Sequence, residues 1–199
     1  AKTVINRINE MVPGLDYQGG LYTFAPYNEI VAQGPWDRAA IAEGVSRLQE
    51  NLEVFGRFTP MGNGIQAHDP VIKNMIPRAA VILVTDGASN RGVNPVDEVK
   101  AVYASNPNVC FHVISLADTE EGQRTIAEIA ALNSCTVVAD GFELFQSDAA
   151  VDKFVGDVFC QELVVIEEDV VVLRGVNFAF DSSALNDTAQ GILDEAARV

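Results

Sequence analysis

Apolar positions along the chain alternate between two periods. Val4, Ile5, Ile8, Met11 and Val12 recur at helical spacing before Pro13-Gly14 ends the run. Gly20 to Ala25 and Asn28 to Ala32 then read as two strands joined at Pro26-Tyr27, a hairpin-like pair. A second helix is predicted from about Trp36 to Leu52, with Ile41, Val45, Leu48 and Leu52 along one stripe. The loop Thr59-Pro60-Met61-Gly62-Asn63-Gly64 leads into a third helix that ends near Met75, with Pro77 as its stop.

Ala79 to Thr85 (AAVILVT) is apolar without interruption, which marks a strand buried on both faces in the middle of a parallel sheet. Alternation continues with a helix near Pro95 to Tyr103, a strand at Val109 to Ser115, a helix from about Glu120 to Leu132 and a strand at Cys135 to Ala139. A further helix carries Val151, Phe154, Val155 and Val158 inward, with Ser147 as its cap, and Asp118 with Glu121 fits a capping box for the helix before it. This order predicts an α/β fold: a doubly wound, mostly parallel sheet with helices on both faces and right-handed crossovers. Ligands of such sheets bind beyond the carboxyl ends of the strands, and Thr59 and Asp86 belong to loops on that edge.

After Cys160 the character changes. Gln161 to Asp169 reads as an acidic linker, Val170 to Phe180 as a strand, and Asp187 with Gln190 as the cap of a last helix whose apolar side is Ile192, Leu193 and Ala196. Both ends fall inside helical patterns, so the sequence is expected to be a piece of a longer chain, and a missing targeting segment carries no information. Apolar residues make up 48% and charged residues 21%, an ordinary globular mix. The net charge of −15 repels phosphate backbones and anionic head groups, which argues against nucleic acid as a partner. The same charge suits divalent cations or basic ligands, and equally a plain solvated surface. No apolar run approaches the roughly 20 residues of a membrane span.

The residue types with chemistry to offer are few. A hard divalent cation such as Mg²⁺ takes oxygen ligands and keeps waters, so the Thr59 hydroxyl and the Asp86 carboxylate on adjoining loops suit it. The competing reading is that Thr59 begins a turn and Asp86 caps a helix. His112, in an apolar strand, reads as a hydrogen-bonded core residue, and His68 as part of a solvated helix face. Gly62-Asn63-Gly64 is no phosphate loop, having neither a P-loop lysine nor dinucleotide spacing.

TPMG leading into a helix, followed by the apolar strand VILVTDG, resembles the second and third loops of the metal-ion-dependent adhesion site (MIDAS) of von Willebrand factor A (vWA) domains. The resemblance covers Ala1 to about Cys160. It implies that Thr59 coordinates Mg²⁺, or Mn²⁺ or Ca²⁺, directly or through water, that Asp86 lies nearby, often through water, and that a ligand carboxylate completes the shell. It implies protein recognition rather than catalysis. The family's first loop, D-x-S-x-S, follows a central strand, and neither is present ahead of the first helix here. That strand would lie beside Ala79 to Thr85, so its absence is expected to leave two central edges unpaired and the metal site incomplete, with the ion weakly held or absent. VNFAFDSSAL carries half of the pattern at Asp181 and Ser183, with Leu185 in place of the last serine.

The segment Val170 to Val199 resembles the opening strand and helix of OmpA-like domains, which bind peptidoglycan. The resemblance implies three parts: a vWA-like domain over 1–160, a linker over 161–169 and the start of an OmpA-like domain over 170–199. It also implies a periplasmic location at the outer membrane or cell wall, where a disulfide is permitted. Cys110 and Cys135 open neighbouring strands and can bridge, while Cys160 is an alternative partner for either. The resulting expectation is a non-enzymatic envelope protein that recognises a protein carboxylate and is tethered to peptidoglycan. The alternatives are a structural envelope module with a degenerate metal site, and a small-molecule enzyme, which would lack a Gly-rich cofactor fingerprint and an acid-base set.

Overall fold

The computed structural model describes residues 1–14, 16–49, 58–75 and 78–160. The chain divides into two units, Ala1–Gln161 and Glu162–Val199, and the described residues all fall in the first. The linker, the strand at Val170 to Phe180, Asp181, Ser183 and the capped last helix lie outside the described residues, as do Leu52 and Pro77.

The elements follow the periodicity. Helix α1 (Lys2–Met11) is followed by strands β1 (Gln18–Phe24) and β2 (Tyr27–Pro35), an antiparallel pair. Helix α2 (Arg38–Arg47) starts later than expected, because the Asp37 carboxylate accepts from the backbone N–H of Ala39 and Ala40 at 2.8 and 3.0 Å and fixes the cap there. It stops before Leu48, whose backbone is extended. Helix α3 (Met61–Lys73), strand β3 (Ala79–Thr85), helix α4 (Pro95–Ser105) and strand β4 (Val109–Ser115) come next.

Helix α5 (Glu120–Ala130) is capped by Thr119, not by Asp118: the Thr119 hydroxyl accepts from the Gly122 N–H at 3.1 Å. Strand β5 (Val138–Asp140) starts three residues after Cys135, since Cys135 and Thr136 donate to Asn133 in the turn that precedes it. A short helix α6 (Gly141–Gln146), which periodicity did not reveal, hangs on the Asp140 carboxylate as its cap. Helix α7 (Asp148–Phe159) is capped by Ser147 as expected. No helix among the described residues is long and apolar enough to cross a membrane.

Strands β3, β4 and β5 form a parallel sheet in that order, with Ala79 opposite Val109 and Val113 opposite Val138. Side-chain alternation divides the core into two layers. Val109, Phe111 and Val113 of β4, with Leu83 of β3, meet Met61, Ile65 and Ile72 of α3, Val99 and Val102 of α4, and Ile126 and Ile129 of α5. On the opposite face Ile114 meets Val4 and Ile8 of α1, Leu144 of α6, and Val151, Phe154 and Val155 of α7. The arrangement is a mixed α/β layer structure with helices on both faces of a parallel sheet.

Among the described residues β3 pairs only with β4, and β1 only with β2. The burial of β3 reflects this: Val81, Ile82 and Val84 are half-buried, whereas β4 is buried from Phe111 through Ile114. Helix α3 joins the two sheets at one end. A Cβ at Gly64 would lie 2.2 Å from the Phe24 carbonyl oxygen at the end of β1, and the Thr85 hydroxyl at the end of β3 donates to Met61 Sδ at 3.8 Å. Both strands therefore end against the first turn of the same helix.

Cys110 and Cys135 form a disulfide, with Cα atoms 6.0 Å apart, and Cys160 is a free, exposed thiol. The bridge ties the start of β4 to the turn ahead of β5.

Candidate metal centre

The sheet's carboxyl edge is built from the loop 58–60 with the first turn of α3, and from the loop 86–94 after β3. Two asparagines join them in opposite senses. Asn90 Oδ1 accepts from the Thr59 N–H at 2.8 Å, and Asn63 Oδ1 accepts from the Val93 N–H at 3.1 Å. Ser89 adds a long hydroxyl contact to the Thr59 carbonyl at 3.5 Å. Close packing leaves no slack, since a Cβ at Gly62 would sit 2.1 Å from the Val93 carbonyl oxygen.

Asp86 is fixed from below. The Thr85 hydroxyl accepts from the Gly87 N–H at 3.0 Å, and the Leu116 N–H donates to the Thr85 carbonyl at 2.8 Å. Gly87 has φ +75°, the left-handed region that favours glycine, and a Cβ there would meet the Gly122 carbonyl oxygen at 2.3 Å. In return, a Cβ at Gly122 would lie 2.1 Å from the Asp86 carbonyl oxygen. The first turn of α5 thus packs backbone to backbone against the residue that carries the carboxylate.

The structure places Thr59 half-buried and Asp86 exposed, on loops held together by the Asn90 bond. One Asp86 oxygen accepts from the Ala88 N–H at 3.0 Å, a local turn that orients the carboxylate. These donors suit a hard divalent cation in kind. In number they fall short: two protein oxygens against about six, and among the described residues no group of three His, Cys, Asp or Glu side chains could hold a metal ion. A bound cation would supply Lewis acidity and a positive charge on this edge; the chain's own residues orient the carboxylate and hold the two loops in register.

Sequence reasoning named Thr59 and Asp86 but missed Asn63, Ser89 and Asn90, which join their loops, and the rim outside them. There the Arg91 guanidinium lies 4.2 Å from the centroid of the Phe58 ring, a ring that is 56% exposed. A polar cavity of about 340 Å³ opens beside the same loop, lined by Ser89, Val93, Asn94, Glu121 and Arg124. The run Ser89-Asn90-Arg91 after the TDG strand was the available signal.

The histidines divide. His112 is buried and neutral, its Nδ1 accepting from the Val137 N–H at 3.1 Å, and burial lowers its pKa to about 4. His68 corrects the expectation of a solvated face: it is half-buried against the Tyr22 ring at 4.3 Å and the Tyr27 ring at 5.5 Å, and burial lowers its pKa. Neither faces Asp86 in any contact seen here.

The class that these features define is a vWA-like α/β fold, a parallel sheet flanked by helices with polar loops on its carboxyl edge. Proximal thread matrix protein 1 from the mussel byssus shares the fold in a structure with a zinc-occupied MIDAS motif, at TM-score 0.57 and 19% identity over 80% of this chain. A second crystal form of that protein gives TM-score 0.55 and 19% identity over 78% of this chain. The chain covers only 42% and 41% of those two chains. No family model and no curated protein matches the sequence.

Proposed function

We propose that this unit is a non-enzymatic recognition module in which Thr59 and Asp86 hold a divalent cation weakly and a carboxylate of a protein ligand completes its shell. The observation that carries the reading is the joining of the two oxygen-bearing loops, with Asn90 fixing Thr59 beside the loop that begins at Asp86. The zinc-occupied MIDAS motif of a protein with the same fold supports it. Titration calorimetry with Mg²⁺, Mn²⁺ and Zn²⁺ on wild type, Thr59→Ala and Asp86→Ala is the test. The expected result is binding in about the millimolar range that either substitution weakens about tenfold or more; no binding, or equal binding by all three proteins, rejects the site.

A structural module with a degenerate metal site is the second reading, favoured by the absence of any group of three His, Cys, Asp or Glu side chains that could hold a metal ion among the described residues. The same titration separates the two. We further propose, on the resemblance of Val170 to Val199 to OmpA-like domains, that the module works in the periplasm, attached to peptidoglycan. The Cys110–Cys135 bridge supports an oxidising compartment. Co-sedimentation of the protein carrying a complete C-terminal domain with purified peptidoglycan tests the attachment, and recovery in the supernatant alone counts against it.

A further inference from the structure

We infer that Phe58 and Arg91 form a specificity element on the site's rim, which selects a partner segment by an acidic side chain flanked by apolar residues. The inference deepens the reading above and rests on it only for the choice of this edge as the ligand-facing one.

Three observations point the same way. Phe58 is 56% exposed and Val93 37% exposed, so the rim keeps apolar surface in water next to two polar loops. Exposed aromatics and arginines are enriched where proteins meet partners. Arg91 covers the Phe58 ring with its guanidinium 4.2 Å from the centroid. A guanidinium held over a ring keeps five N–H donors, and its planar fork can take a carboxylate through two parallel hydrogen bonds. The aromatic ring also holds the long side chain in place, so less rotamer freedom is lost on binding.

Charge completes the argument. The chain carries 13 Lys and Arg against 28 Asp and Glu, yet among the described residues Arg91 has no carboxylate within ion-pairing distance. Its surroundings are anchored rather than loose: the Asn90 side chain accepts from Thr59 on one side, and Asn63 holds Val93 on the other. A cation with no carboxylate partner among the described residues, on a fixed loop of an acidic protein, is complementary to an acidic residue of a partner, while the Phe58 ring and Val93 receive that residue's apolar neighbours. A second copy of this chain, with its net charge of −15, is disfavoured as that partner.

The test uses the fluorescein-labelled peptide Gly-Phe-Glu-Phe-Gly and its Gln analogue in polarisation titrations, with and without 5 mM Mg²⁺ as about the working range for a weak oxygen site. The wild-type protein is expected to prefer the Glu peptide, with Arg91→Gln losing about tenfold in affinity and Arg91→Lys and Phe58→Leu losing part of it. Circular dichroism melts check that these exposed substitutions leave the fold intact. Arg91-dependent binding that persists without metal and in Thr59→Ala upholds the inference and removes the ion from recognition of this peptide. Metal-dependent binding indifferent to Arg91 does the reverse. Failure to bind either peptide, or equal binding of Glu and Gln forms, overturns it.

Discussion

His112 shows how a single buried residue makes the fold sensitive to pH. Its imidazole is neutral because the ring is buried, and its Nδ1 lone pair accepts from the Val137 N–H. Its pKa falls from 6.5 to about 4 on folding, so below pH 6.5 the unfolded chain binds a proton that the folded chain refuses. The contribution is complete above pH 6.5 and is lost as the pH falls through that value towards 4. A shift of this size corresponds to about 3 kcal/mol. Urea unfolding of wild type from pH 7 to pH 4 should show that decline beyond the slope of His112→Gln, whose side-chain carbonyl keeps an acceptor for Val137. Parallel slopes for the two proteins would remove the explanation. The buried role of His112 was legible in its apolar strand, but that of His68 was not, since its two tyrosine neighbours come from the hairpin about forty residues earlier. Thr59 and Asp86 could be read from their loops; Asn63 and Asn90 could not, because the bonds by which they join those loops reach some thirty positions along the chain.

Among the elements, the α5 crossover is the one that carries a covalent constraint. The Cys110–Cys135 bridge closes a sequence separation of 25 residues that includes part of β4, all of α5 and the turn ahead of β5. Chain-entropy arguments give such a loop about 3 kcal/mol of stabilisation. The double variant Cys110→Ala, Cys135→Ala should therefore lose about that much in denaturant unfolding, with wild type under reductant falling to the same midpoint. Unchanged stability would show that the bridge is dispensable. The sequence left this pairing open beside bridges to Cys160, and β5 itself begins after Cys135. Element ends were the least legible part of the fold: caps at Asp37, Thr119 and Asp140 override the apolar stripes that placed the helices.

For the molecule as a whole, the two-layer core was readable because unbroken apolar strands alternate with amphipathic helices, each feeding a separate face. Among the described residues the strands divide into a hairpin and a three-stranded parallel sheet in which β3 pairs only with β4. Hydrogen exchange should register it: β4 is paired on both sides from Val113 to Ser115, whereas amides of β3 directed away from β4 should exchange orders of magnitude faster. Uniform protection across β3 would show that the edge is covered in solution. The glycines around the polar edge have a different implication. Thr59 or Asp86 could be exchanged for another small polar residue without displacing any backbone, but Gly62, Gly64, Gly87 and Gly122 each leave less than 2.5 Å to a facing carbonyl oxygen. In evolutionary terms the frame has far less latitude than the groups it displays. A lineage could discard the oxygen donors through drift, or trade them for a new specificity, and still inherit the same two loops.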